Sequence, residues 1–490
     1  MPVQLIGPWQ NALEGAAATL CAVVAMATVS APALALLDAG SFGSLWSLTM
    51  ALTAMAVGGS VNAGSDVSGD TGSMGGPASL FGGGGGISPS MSGAADVVPL
   101  GVTLVGAVVL WIAFSWRLRQ AQRRRFTAGE LAVRAAGAGT AALFTLMIVA
   151  GLAKGSADMP ASAMTGMGGT GGGRSAGGGG GGGGLAELFG GGSGGLGGLM
   201  GGGTGAQPTM TYHVGAGSAG FGAVLWVAVV LGVGVLISRR VRLPLGGALD
   251  GLRTGWGRSL SAVVRTVLVL AAVPLVVLAV VGAVVGGRAG SAAGAALLLA
   301  PNFLAVFLTL GVGSSWTAAA YPVRSEGGSN PLASLMGGMG GMDGTGAMGG
   351  GRQLDRTEHL RSPSAGGWPL WFAALTVTVL ILLACAYRAA RATHPGHKLP
   401  LLPYRGPLAG HFGMAERFGV VTAVVLGGAA WLVGASGHFG ISMFGSEMGG
   451  MRAELSGSVL RTVLFGLLVG GLAGFGGSLL SAVRDVRGAR

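Results

Sequence analysis

The sequence predicts an all-α polytopic membrane protein, with about eight transmembrane helices and two membrane-embedded, re-entrant segments arranged as two parallel repeats. Three observations predict it. Long apolar stretches recur from Ala12 to Ala482. Only 9% of the 490 residues are charged and mean hydropathy is +0.67, where a soluble domain carries about 25% charged residues. The arginines gather in alternate gaps between the spanning stretches, as positive residues do on the cytoplasmic side of a membrane.

The apolar segments, in order, are Ala12–Leu37, Phe42–Val61, Val97–Trp116, Leu131–Ala153, Ala216–Ser238, Thr266–Gly286, Ser291–Gly313, Trp368–Tyr387, Phe418–Ala435 and Val459–Ala482. Most reach the roughly 20 residues that a helix needs to span a hydrocarbon core of about 30 Å. Lipid offers backbone groups no partner, so each segment must satisfy its own, and the helix does so. Abundant Gly and Ala would weaken such helices in water but let their backbones approach closely in a membrane. The first ten residues hold no Lys or Arg, so no cleavable leader is expected and the first segment stays as a helix.

The basic residues then set orientation. Arg117, Arg119 and Arg123 to Arg125 follow the third segment, and Arg239, Arg240, Arg242, Arg253 and Arg258 follow the fifth. Arg388, Arg391, Lys398, Arg405 and Arg417 follow the eighth, and Arg484, Arg487 and Arg490 follow the tenth. Those gaps and both termini are expected in the cytoplasm of a bacterial cell, with the chain in the plasma membrane. The gap after the second segment holds Asp66, Asp70 and Asp96 and no basic residue, which places it outside. Parity requires the sixth and seventh segments together to cross once. Pro301-Asn302 interrupts the seventh, which is therefore expected to re-enter with Asn302 at its deepest point. The second segment, Phe42–Val61, is expected to do the same.

Both halves share an order of parts, which divides the chain into repeats 1–245 and 246–490. Gly76-Pro77-Ala78-Ser79-Leu80-Phe81-Gly82-Gly83 resembles Asn330-Pro331-Leu332-Ala333-Ser334-Leu335-Met336-Gly337-Gly338 with one residue inserted, and Ala56-Val57-Gly58-Gly59-Ser60 resembles Leu310-Gly311-Val312-Gly313-Ser314. Both halves end in basic loops, so the repeat is parallel, about an axis along the membrane normal. The Gly-rich stretches Gly64–Ser92, Ala161–Gly205 and Gly327–Gly351 are expected to be disordered and outside, because glycine loses the most backbone entropy on ordering.

The chemical motifs are few. Gly215-x-Gly217-x-x-Gly220 matches a dinucleotide fingerprint but precedes a membrane helix and is expected to follow no strand. His394-x-x-His397 lacks the further ligands that a zinc site needs. Met336, Met339 and Met342 form the sharpest pattern, with thioethers at the short spacing that soft Cu(I) accepts. Met159, Met164 and Met167, and then Met443, Met448 and Met451, repeat the theme. Low-complexity Gly/Met sequence explains all three groups without a metal. Glu14, Asp38, Arg134, Arg265 and Arg461 lie near segment ends, where they can snorkel to water. Central Asp or Glu is absent from the segments, which argues against a proton- or sodium-coupled pump. The net charge of +12 flanks apolar segments and is not interleaved with aromatics, so it does not indicate nucleic acid.

The whole pattern, with its Arg-flanked helices, the Ala300-Pro301-Asn302-Phe303 stretch and the glycine-rich outer loops, resembles the streptophobe family of very hydrophobic actinobacterial membrane proteins. The resemblance implies an integral membrane protein with no assigned activity and no site residues. The expected function is therefore that of a plasma-membrane protein in the lipid bilayer, with no enzymatic activity and no cofactor. One alternative is a transporter or channel with its pathway between the repeats, lined by Asn302. The other is extracytoplasmic Cu(I) binding through the methionine loops.

Overall fold

The computed structural model describes residues 8–41, 43–66, 90–120, 128–158, 209–238, 247–285, 287–323, 356–359, 368–393, 409–443 and 446–488. The first half of the chain holds helices α1 (Pro8–Leu36), α2 (Leu45–Met55), α3 (Leu100–Gln120), α4 (Ala128–Leu152) and α5 (Ala216–Ile237). The second half holds α6 (Gly247–Val285), α7 (Gly287–Gly311), α8 (Trp368–Thr393), α9 (Ala409–Val433) and α10 (Val459–Gly488). Strands β1 (Val61–Asp66) and β2 (Ser90–Asp96) lie between α2 and α3, and β3 (Gly155–Asp158) and β4 (Thr209–Val214) lie between α4 and α5. In the second half β5 (Trp316–Val323) and β6 (Arg356–His359) lie between α7 and α8, and β7 (Ala435–Met443) and β8 (Ser446–Gly457) lie between α9 and α10. One order of elements thus runs through the chain twice.

The helices make a polytopic membrane layer. Seven described helices, α1, α4, α5, α7, α8, α9 and α10, contain stretches long and apolar enough to cross a membrane. The strands form a single antiparallel sheet at one end of this layer, in the order β3-β4-β1-β2-β7-β8-β5-β6. Helices α2, α4, α7 and α9 run into the sheet at their C-terminal ends, and α3, α5 and α10 leave it at their N-terminal ends. At about 1.5 Å per residue, the helices of 21 to 30 residues put their other ends roughly 30–45 Å away. Among the described residues, Arg117, Arg119, Arg253, Arg258, Arg388, Arg391, Arg417 and Arg484 fall toward that far end, while Arg356 and Arg452 lie in the sheet. Connectivity therefore carries α3 and α6 across the layer as well, although their most apolar described stretches are shorter.

The two segments expected to re-enter both begin and end toward the sheet. At the start of α2, the Ser47 hydroxyl lies 2.6 Å from the Tyr212 hydroxyl of β4. Beyond its end, the Val57 carbonyl lies against Gly222, six residues into α5, and the chain then rises into β1. In α7, Gly294 packs on Ala33 and Leu36 near the sheet end of α1, while Gly311 packs on Ala374 and Thr378, well inside α8. The chain then rises through Ser314 to β5. Segments six and seven together thus cross once.

The expected break at Pro301-Asn302 is absent, however. α7 is one helix from Gly287 to Gly311 with Pro301 inside it. Proline removes the hydrogen bond to the carbonyl four residues back, and that carbonyl, of Leu297, lies against Gly101 of α3, where a Cβ would collide with it. Close approach of α3 to the freed carbonyl accommodates the proline. The deepest point is instead the turn at Gly313 (φ +104°), whose counterpart is Gly58 (φ +96°). Both turns close alike. Gly59 N–H donates to the Ala54 carbonyl and Gly58 N–H to that of Met55, while Ser314 N–H donates to Thr309 and Gly313 N–H to Leu310. This is the Schellman pattern, which needs a left-handed residue that glycine supplies without strain.

The sheet is a departure from the loops expected outside the membrane. Residues 64–66 and 90–92, the ends of one stretch expected to be disordered, are paired in β1 and β2. The rest of that stretch and all of 161–205 and 327–351 lie outside the described residues. The strands are rich in Gly, Ala and Ser, which have low strand propensity, so the order comes from pairing and from anchors at the membrane side. Trp316 is fully buried and donates from Nε1 to Thr309 Oγ1 at 3.0 Å.

Small residues set the helix spacing. Gly15 of α1 faces the Arg134 carbonyl of α4, and Gly137 of α4 faces the Ala12 carbonyl, so a Cβ at either would strike backbone. Thr19 Oγ1, at this seam, lies 3.1 Å from the Ala138 carbonyl. Gly419, Gly470 and Gly474 do the same for α9 and α10. This is the close packing that small residues permit where lipid supplies no hydrophobic drive between helices.

Candidate functional site

The α1–α4 seam places a charge inside the membrane layer. Arg134 lies six residues into α4 and is only 3% exposed. Its Nη1 is 3.4 Å from Glu14 Oε2 of α1, and its guanidinium carbon sits 4.8 Å from the ring centre of Phe114 on α3. Arg134 therefore does not snorkel to water, as the sequence suggested. Gly15 brings α1 close enough for Glu14 to reach it. A buried guanidinium with a carboxylate on one side and an aromatic face on another is the arrangement that makes an intramembrane arginine tolerable.

Phe114 also belongs to a second feature, a cleft of about 560 Å³ between α4 and α5. Leu131, Ala135, Leu143, Val227 and Leu231 line it, with Thr140 as the polar exception. Gly139 and Gly232 form part of the wall, and a Cβ at either would meet open space. The cleft exists because α4 and α5 meet closely only toward the sheet, where Gly220 packs on Leu143 and Met147. In the second half α9 and α10 approach backbone to backbone at Gly419, Gly466 and Gly474, and Gly470 packs on the Thr422 side chain.

Asn302, the residue placed in a pathway by the sequence, sits between the halves and is 8% exposed. Its Oδ1 accepts from Leu100 N–H at 2.9 Å, and its Nδ2 donates to the Val98 carbonyl at 2.8 Å. Both ends of the amide thus hold the first turn of α3, and it lies near the sheet end rather than at the deepest point of α7.

Most of the other sequence candidates fall where the structure gives no description. Met336, Met339 and Met342 lie outside the described residues, as do Met159, Met164, Met167, His394 and His397. Met443, Met448 and Met451 lie in β7 and β8. Among the described residues, no group of three His, Cys, Asp or Glu side chains is placed to hold a metal ion. Gly215-x-Gly217-x-x-Gly220 does follow a strand, β4, contrary to the sequence reading. Its glycines serve packing all the same, since Gly215 is the residue before α5 and Gly220 contacts α4.

One contact the sequence did not signal pairs a hydroxyl with an imidazole. His411 Nδ1 is 2.8 Å from Ser478 Oγ where α9 and α10 meet near the basic end. Ser478 Oγ donates to the Phe475 carbonyl at 2.7 Å, so its proton is already engaged and the imidazole meets its lone pair. The pair braces two helices. No protein-family model matches the chain, no curated protein matches it, and no solved structure matches it.

Proposed function

We propose that the chain is a non-catalytic integral protein of the bacterial plasma membrane that holds the acyl chain of a membrane lipid in the α4–α5 cleft. The cleft carries this reading. It is apolar, within the size range of small-molecule sites, and bounded by helices that cross the membrane, where lipid chains are the abundant apolar partner. Native mass spectrometry of protein extracted in mild detergent tests it. Wild type should retain a phospholipid, and Gly139→Phe and Gly232→Phe should lose it with little change in unfolding temperature. Retention by both variants, or a lipid-free wild type, would overturn the reading.

The same reading makes the chain two copies of one unit, residues 1–245 and 246–490, as the shared order of segments suggested. The repeated order of elements and the matched turns at Gly58 and Gly313 support it. A pathway between the halves finds less support, because the Asn302 amide is fully engaged with backbone there. The arginine gaps are placed in the cytoplasm and the sheet outside. In a Cys21→Ser/Cys385→Ser background, an impermeant maleimide applied to intact cells should label Ser156→Cys of β3 rapidly and leave Gln120→Cys and Thr393→Cys unlabelled. Labelling of the latter two at the rate of Ser156→Cys would reverse the orientation.

A further inference from the structure

We propose that copies of this chain assemble head to tail in the membrane, with β6 of one copy pairing antiparallel with β3 of the next and His359 opposite Asp158. This rests on the two halves being copies of one unit.

The strand order is the starting point. It reads β3-β4-β1-β2 and then, unit for unit, β7-β8-β5-β6. An isologous junction would reverse the order in the second half. Here the order is preserved, so the junction between the halves is heterologous, with the last strand of one unit on the first strand of the next. Such an interface uses two different surfaces and leaves both available at the ends, so it propagates until it closes. Among the described residues, β3 and β6 are the free edges of the sheet, and they are the counterparts of the two strands, β7 and β2, that already pair inside the chain.

The register follows from the internal junction. Matching Gly58 to Gly313 matches Val61 to Trp316, and their partners in the sheet, Val214 and Gly457, match in turn. Gly155 pairs with Tyr212 as Ala435 pairs with Leu455, so Asp158 corresponds to His438. Asn62 pairs with Ala94 as Thr317 pairs with His359, so Ala94 corresponds to His359. In the β2–β7 junction Ala94 stands opposite His438. Repeating that junction between copies puts His359 opposite Asp158.

The helix layer has the same polarity. α7 of the second half packs on α1 and α3 of the first, through Gly294 on Ala33 and Gly101 on Leu297. α6 corresponds to α1, and Val269, Val273, Val276, Val277, Val280 and Val284 along it are 54–79% exposed. The bilayer also holds every copy at one depth. That removes the axial rise which turns head-to-tail contacts into open helices.

Disulfide trapping in native membranes tests the contact, again with Cys21→Ser and Cys385→Ser. Within one chain β3 and β6 stand at the two ends of the strand order, so D158C/H359C reports a contact between copies only when it gives species larger than the monomer. Oxidation should give dimers and higher species on a non-reducing gel. D158C/E358C, with one cysteine moved to the opposite face, should cross-link about tenfold less. A94C/H438C is the internal counterpart and should close within one chain. If A94C/H438C closes and D158C/H359C gives only monomer, or cross-links no faster than D158C/E358C, the assembly is refuted while the fold and the repeat stand. If A94C/H438C fails to close, the repeat reading fails with it.

Discussion

Glu14→Leu is expected to destabilise the detergent-solubilised protein by about 3 kcal/mol, and the double variant Glu14→Leu/Arg134→Leu to recover most of that loss. The asymmetry is the point. Removing the Glu14 carboxylate takes an opposite charge from beside a guanidinium that is 3% exposed, inside a layer that solvates charge poorly. Removing both leaves two leucines in an apolar seam. Glu14 itself is 21% exposed, which places the single variant toward the lower end of the range for broken buried pairs. A double-mutant cycle on reversible unfolding reads the coupling directly. Additive effects of the two single variants would show that the pair contributes nothing beyond its separate members.

Asn302→Leu is expected to cost about 2–4 kcal/mol, because it leaves the Leu100 N–H and the Val98 carbonyl without their partners in a buried turn. The loss should appear first as loosening of the start of α3 from α7, read as faster hydrogen exchange at residues 98–104 before global unfolding. This outcome separates the clamp from a pathway residue. A residue lining a water-filled route would tolerate leucine with the fold intact and show the change in solute flux instead. Unchanged unfolding with altered flux in proteoliposomes would restore the pathway reading.

The membrane layer was legible in the sequence because its signals are local. Each helix announces itself by about twenty apolar residues, and Arg123 to Arg125 or Arg239 and Arg240 mark a side without reference to anything distant. Re-entry of α7 was legible through parity, though Pro301 pointed to the wrong residue. A proline looks like a break only until a glycine elsewhere, Gly101, makes room for the carbonyl it frees. The sheet was not legible. Segments such as Ser90–Asp96 and Ala435–Met443 are Gly-, Ala- and Ser-rich and have little strand preference alone, and each finds its ladder partner in the other half of the chain. The candidate site was illegible for the same reason. Arg134 looks like a residue close enough to a helix end to reach water until Glu14, 120 positions earlier, is placed beside it. The cleft is a parting of α4 and α5 beyond their contact at Gly220, which no residue pattern records.

The junction of β2 with β7 also orders events during synthesis. Asp96 pairs with Ser436, 340 residues further along the chain. At roughly 5–20 residues per second, β2 must wait about twenty seconds to a minute after its own translation before its partner exists. Throughout that interval the growing chain presents an unpaired strand edge outside the membrane, next to identical edges on neighbouring ribosomes' products. Slowing translation between the two halves should therefore raise the yield of entangled chains, in which β2 of one molecule has taken β7 of another.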